Sequence, residues 1–181
     1  MTTALLLIDI QNEYFAGGKR ELERPLQASE CARTLLEHFR RANLPVVHIQ
    51  HIASSANAPA FVAGTVGAEI HANVKPLENE PVFQKHYPNS FRETPLLDHL
   101  KEKGVSRLVI AGMMTHMCVD ASARAAFDFG FECVIAHDAC ATRALKFGDR
   151  TVPADHVHRA FLAALNGTYG KVKSVEEIIR G

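Results

Sequence analysis

The chain carries no excess charge of either sign: twenty Lys plus Arg balance twenty Asp plus Glu in 181 residues. No segment gathers enough like charge to track a phosphate backbone or an anionic leaflet, so neither nucleic acid nor a membrane surface is an expected partner. Long apolar runs are also missing. None approaches the roughly 20 residues that span a bilayer, and Met1-Thr-Thr leads straight into an apolar stretch with no basic, cleavable leader. A cytoplasmic protein is expected. Cysteine is sparse: Cys31, Cys118, Cys133 and Cys140 are widely and irregularly spaced, matching neither a disulfide framework nor a CxxC zinc pattern. There is no internal repeat and no linker-like break in composition. Residues 1–181 therefore read as one domain, long enough for a single buried core.

What is present is an alternation of apolar runs and helical periods. Ala4 to Ile8, Pro45 to Ile49, Pro81 to Phe83, Arg107 to Ala111 and Glu132 to Ala136 are bounded by turn signals and suit strands buried on both faces of a parallel sheet. Between them, Ala28, Cys31, Ala32, Leu35, Leu36, Phe39 and Ala42 recur at helical spacing as one apolar stripe. Thr94-Pro95 predicts a second helix that ends at Gly104, and a third is expected from about Met117 to Phe129. Val157, Ala160, Phe161, Ala164 and Leu165 mark a fourth, and Ser174 with Glu177 forms a capping box for a last one. The pattern predicts an α/β fold: a doubly wound, mostly parallel sheet in a single domain with helices on both faces. Residues 52–80 fit no element, and a stretch of that length is usually a lid, a binding loop or an interface piece.

In open α/β sheets ligands bind at the carboxyl ends of the strands, and three chemically active residues fall there. Asp9 interrupts the run Leu5-Leu-Leu-Ile-Asp-Ile10, where a buried carboxylate costs several kcal/mol unless it is paired. Lys85 follows Val82-Phe83-Gln84 in the same way. Cys118 lies in Ala111-Gly-Met-Met-Thr-His-Met-Cys-Val-Asp120, a strand-to-helix turn where unpaired backbone N–H groups favour a thiolate. Taken singly, each has a plainer role: Asp9 as a loop cap, Lys85 as a surface residue, Cys118 as core filling. Together they form a working set, in which Asp9 takes the thiol proton while Lys85 holds Asp9 and favours the thiolate.

The segments Leu6-Leu-Ile-Asp-Ile-Gln-Asn-Glu-Tyr-Phe15, Gln84-Lys-His-Tyr-Pro-Asn-Ser-Phe91 and Gly112-Met-Met-Thr-His-Met-Cys-Val119 resemble the signature blocks of the isochorismatase-like cysteine hydrolases, in the same order and spacing. Gly64-Thr-Val-Gly-Ala-Glu-Ile70 and Asp138-Ala-Cys-Ala-Thr142 extend the likeness over nearly the whole chain. The resemblance implies a catalytic triad of Asp9, Lys85 and Cys118. It also implies a cis peptide between Met113 and Met114, and an oxyanion hole from the N–H groups of Met114 and Cys118. By position it places Tyr14, Phe15 and Phe91 at the walls of the pocket and His116 within reach of substrate, with Gln11 and Asn12 ordering the first loop. The implied reaction is cleavage of the C–N bond of a small amide, ureide or lactam through a thioester. Relatives are commonly homodimers or homotetramers, so a second copy is the expected partner beside the small-molecule substrate.

Some members with nicotinamidase activity hold a divalent ion through an Asp-x-His pair and a later His. Here His48-Ile-Gln-His51 stands where that pair would fall, and His71 resembles the later ligand. The carboxylate is missing, so no metal and no other cofactor are expected. An isochorismate-type enol-ether hydrolase is a second enzymatic reading, disfavoured because that branch does not use a cysteine nucleophile. A non-catalytic interaction module on a flavodoxin-like sheet is a third. It would want a GxGxxG or GxxxxGK[ST] loop, and neither occurs.

Overall fold

The computed structural model describes residues 2–181. Its centre is a six-stranded sheet in the order β3-β2-β1-β4-β5-β8, with every neighbouring pair parallel. The strands are β1 (Thr2–Ile8), β2 (Val46–His51), β3 (Val82–Lys85), β4 (Val105–Met113), β5 (Glu132–Ala141) and β8 (Lys171–Lys173). The helices are α1 (Pro25–Arg41), α2 (Leu96–Glu102), α3 (Asp120–Asp128), α4 (Ala154–Leu165) and α5 (Val175–Arg180). A small antiparallel hairpin, β6 (Leu145–Phe147) with β7 (Arg150–Val152), stands apart from the sheet.

The continuous apolar run of β1 is explained by its position at the centre of the sheet. Leu5 and Leu7 point to one face, where they join Ala28, Ala32, Leu35, Leu36 and Phe39 of α1. Leu6 and Ile8 point to the other and meet Leu96 and Leu100 of α2, Val119 and Ala123 beside Cys118, and Leu162 and Leu165 of α4. This is period-two alternation with both faces covered. Each buried leucine contributes roughly 1.5–3 kcal/mol relative to an exposed one. The stripe on α1 ends at Phe39, because Ala42 has become the exposed cap of the helix. Ser174 and Glu177 form the capping box that starts α5.

The predicted third helix from Met117 to Phe129 is divided in the structure. Thr115–Val119 forms a wide π-helical turn, and regular α3 begins at Asp120. β8 and the hairpin carry no apolar run and were not expected. Gly112 near the end of β4 has φ of 143° and admits no side chain, since a Cβ there would lie 2.1 Å from the Ile8 carbonyl oxygen. Glycine thus lets β4 close onto β1 at the point where the chain turns towards Cys118.

The 52–80 stretch is not a free loop. Gln11 bridges to Ile70, and its Nε2 donates to the carbonyls of His51 at 2.9 Å and Ala68 at 2.7 Å. Asn12 Nδ2 donates to the Val66 carbonyl at 2.9 Å. Buried Glu13 accepts from the backbone N–H groups of Lys19 and Phe61. The first loop therefore holds the long one down onto its own chain, and Ala60, Phe61, Ala68 and Val74 are buried in the process.

Candidate active site

The sheet order explains why three distant residues meet. From β1 the chain moves outward through β2 to β3, then returns to place β4 on the other side of β1. The crevice above the carboxyl ends of β1 and β4 is the topological switch point, where ligands bind in such sheets. Asp9 follows β1, Cys118 lies in the π-turn after β4, and Lys85 ends β3 in register with His51. Lys85 reaches across β2 to the other two.

All three are buried. Lys85 Nζ lies 2.7 Å from Asp9 Oδ2, donates to Cys118 Sγ at 3.3 Å and donates to the Tyr87 carbonyl at 3.0 Å. The Asp9 contact is one of charge, because neither carboxylate oxygen has a well-formed hydrogen bond. Asp9 also takes a left-handed backbone conformation, φ 51°, which aspartate tolerates better than most residues. Its N–H donates to the Ile49 carbonyl at 3.0 Å and its carbonyl accepts from Gln11 N–H at 2.9 Å. The Met113–Met114 peptide is cis. Ser90 and Ser122 are joined at 2.8 Å, which ties the segment after Lys85 to α3.

The electrostatics correct one expectation. Burial raises the Cys118 thiol well above its ordinary value, and Asp9 raises it further, while Lys85 opposes them without prevailing. These influences favour the protonated thiol over the thiolate expected at a helix start. For Lys85, burial works against the charged form, but Asp9 and Cys118 outweigh it and the ammonium is held more firmly than usual. Burial also raises the Tyr14 hydroxyl, with Cys118 and Asp9 adding to the effect.

The other residues singled out from sequence divide. Tyr14 meets Phe61 edge-on at 5.1 Å between centroids. Phe61 meets His51 at 5.3 Å, so an aromatic from the long loop stands over the triad's flank. Nothing in the sequence marks Phe61, since one phenylalanine in an irregular stretch carries no pattern. Phe15 stacks on His71 at 3.7 Å. Phe91 is buried in the same apolar cluster as Cys118 and packs with Phe129 and Phe131. His116 is half-buried, its Nδ1 2.5 Å from Thr142 Oγ1 and its ring against Phe161.

The three histidines considered for a metal do not converge. His48 Nε2 contacts Glu80 Oε2 at 2.9 Å, and burial lowers its pKa despite that partner, so the contact is a neutral imidazole donating to a carboxylate. His71 Nδ1 accepts from the Asn73 N–H at 3.2 Å. His51 lies beside Asp9 and Lys85. No group of three or more His, Cys, Asp or Glu is placed to hold a metal ion among the described residues. Nor is any described helix long and apolar enough to cross a membrane.

An acid, an amine and a thiol are gathered at the switch point of a parallel sheet, and comparison with known proteins gives the family. The isochorismatase domain model matches residues 3–177, and the chain belongs to the isochorismatase family. It is 52% identical to the isochorismatase family protein YddQ of Bacillus subtilis (strain 168), over 99% of this chain and 100% of that protein. A crystal structure of an isochorismatase-type hydrolase from Oleispira antarctica superposes with a TM-score of 0.96 at 50% identity, covering 99% of this chain and 97% of that one. Streptothricin hydrolase of Streptomyces noursei is 37% identical over 77% of this chain and 54% of its own length. The protein is an isochorismatase-family hydrolase.

Proposed function

We propose that the protein hydrolyses the C–N bond of a small amide, ureide or lactam through a thioester on Cys118. The observation that carries this reading is the buried contact of Lys85 Nζ with both Asp9 and Cys118 Sγ. In the proposed cycle Asp9 takes the thiol proton as the sulfur attacks the substrate carbonyl carbon. The N–H groups of Met114 and Cys118 hold the oxyanion, a donor pair of a kind worth about 3 kcal/mol in a transition state. Protonated Asp9 gives its proton to the departing nitrogen, the C–N bond breaks, and ammonia or an amine leaves. Asp9 next takes a proton from water, whose oxygen attacks the thioester, and the acid departs as the thiol is restored. The similarity to a streptothricin hydrolase supports activity on a small molecule.

The test is ammonia or amine release over a panel of small amides, ureides and lactams, run beside pyruvate release from isochorismate. Amide turnover by the native protein is expected, with none from Cys118→Ala, and a slow amide should leave one acyl adduct on Cys118 in intact-mass spectra. Full activity in Cys118→Ala, or pyruvate release alone, would sink the proposal.

A further inference from the structure

Helix α4 carries a polar ring on its inward row. Ala154, His158 and Leu162 recur at i, i+4 spacing, and the two apolar members are buried. Half-buried His158 stands between them, where an imidazole needs a hydrogen-bond partner. That partner is the Thr115 hydroxyl, with His158 Nδ1 2.9 Å from Thr115 Oγ1. Thr115 is fully buried and opens the π-turn that carries Cys118.

The contact continues into the sheet. Thr115 Oγ1 donates to the Ala141 carbonyl at 3.2 Å, at the end of β5, where Ala141 pairs with Met113 of β4. A hydroxyl has one hydrogen, so the arrangement that satisfies both contacts has His158 Nδ1–H donating to Thr115. His158, Thr115 and Ala141 thus tie α4 to β5 through the first residue of the turn. The adjacent pair, His116 Nδ1 2.5 Å from Thr142 Oγ1, makes a second tie, so loss of the first should loosen the turn without dissolving it. No side chain caps the turn itself. Its backbone is closed by the Met117 and Val119 N–H groups, which donate to the Met114 carbonyl at 3.0 and 3.2 Å. Thr115 lies between that acceptor and both donors, so a displacement there moves Met114 and Cys118 relative to each other.

We propose that His158 is a positioning residue for the nucleophile: through the Thr115 hydroxyl it fixes the turn that presents Cys118 and the N–H groups of Met114 and Cys118. It acts through Thr115 and not by contact with the reacting atoms. A hydrogen bond of this kind shifts a local opening equilibrium by about fivefold. The catalytic part of the inference rests on the amidohydrolase reading, but the hold on the turn can be measured without turnover.

The test compares the native protein with His158→Leu, His158→Asn and His158→Gln. Asparagine places its carboxamide where Nδ1 lies, whereas glutamine, nearer to histidine in size, places it where Nε2 lies. A carboxamide both donates and accepts, so the comparison holds for either ring tautomer. Hydrogen exchange of residues 113–120, followed by mass spectrometry at one pH, should quicken about fivefold in His158→Leu and His158→Gln and stay near native in His158→Asn. Thr115→Val, which keeps the shape and loses the hydroxyl, should match His158→Leu, whereas Thr115→Ser should not; this arm stands even if His158→Leu fails to fold. Unchanged exchange in His158→Leu, or glutamine protecting the turn as well as asparagine does, overturns the tether, because a ring that only fills space is replaced better by the larger side chain. With an amide that the native protein cleaves, kcat should fall about fivefold in His158→Leu and recover in His158→Asn, with KM near its native value. A change in KM alone overturns the positioning role. If the native protein cleaves no amide while the exchange ranking holds, the tether stands and the amidohydrolase reading falls.

Discussion

Removal of the Lys85 charge while Asp9 is kept should be among the most damaging single changes to this fold. The side chains of Lys85 and Asp9 are both fully buried and 2.7 Å apart, so Lys85→Met leaves a carboxylate in the interior with no counter-charge. Breaking a buried pair in this way costs about 3–5 kcal/mol, a large part of the 5–15 kcal/mol that holds a typical domain together. Replacing both members with uncharged groups of similar shape removes the unpaired charge, and Asp9→Asn with Lys85→Met should recover most of the loss. The assay is urea unfolding of the native protein, both single variants and the double variant, closed as a thermodynamic cycle. The pH dependence follows from the raised Lys85 pKa. A base whose folded pKa is raised contributes its full stabilisation below its unfolded value, about 10.4 for lysine, and loses it as pH climbs through the folded value. The gap between native protein and Lys85→Met should therefore be wide at neutral pH and narrow in strong alkali. A single-variant cost below about 1 kcal/mol, or a double variant no more stable than Lys85→Met, would refute the reasoning.

Because burial and Asp9 raise the Cys118 thiol, labelling of Cys118 by iodoacetamide should keep accelerating as pH passes the ordinary thiol value of about 8.5. A plateau reached near neutrality would show a resting thiolate instead. Gln11→Ala removes the hydrogen bonds to the His51 and Ala68 carbonyls and to the His51 N–H, at about 1–3 kcal/mol for each buried group left unpaired. Limited proteolysis should then cut within residues 53–79 much faster than in the native protein, and an unchanged cleavage pattern would show that the long loop is held by other means.

The legible parts of this fold are those where one residue sets its own context. Asp9 and Lys85 stand out because each breaks or ends an apolar run, and a charge in that position has few roles besides pairing. The strands of the inner sheet were legible because parallel strands covered on both faces are apolar throughout. β8 is a three-residue Lys-Val-Lys strand at the sheet's edge, too short and too charged to register as a run. The break between the π-turn and α3 is hidden because Val119, Ala123 and Ala126 continue a helical period across it. Phe91 could not be assigned, since an apolar ring beside a triad serves the core and a pocket wall equally well. The upward shift of the Cys118 thiol was hidden for a related reason: it comes first from burial, and burial is a property of the assembled chain.

That burial also bears on how a protonated thiol can serve the proposed reaction. At rest the triad holds a carboxylate, an ammonium and a thiol, with no net charge. When the proton moves from Cys118 to Asp9, the set becomes a carboxylic acid, an ammonium and a thiolate, still with no net charge. Activation therefore exposes no additional net charge to the interior, and the desolvation that raises the thiol is opposed by Lys85, which faces the negative partner in either arrangement. Both Asp9 oxygens lack a well-formed hydrogen bond, so the carboxylate keeps acceptor capacity for that proton, which a fully bonded carboxylate would have lost. The same burial that makes the free thiolate unfavourable strengthens the coupling that carries it once a substrate carbonyl is there to take the sulfur's electrons. A resting thiol is then consistent with the nucleophile's role, and it keeps the sulfur quiet until a substrate occupies the site.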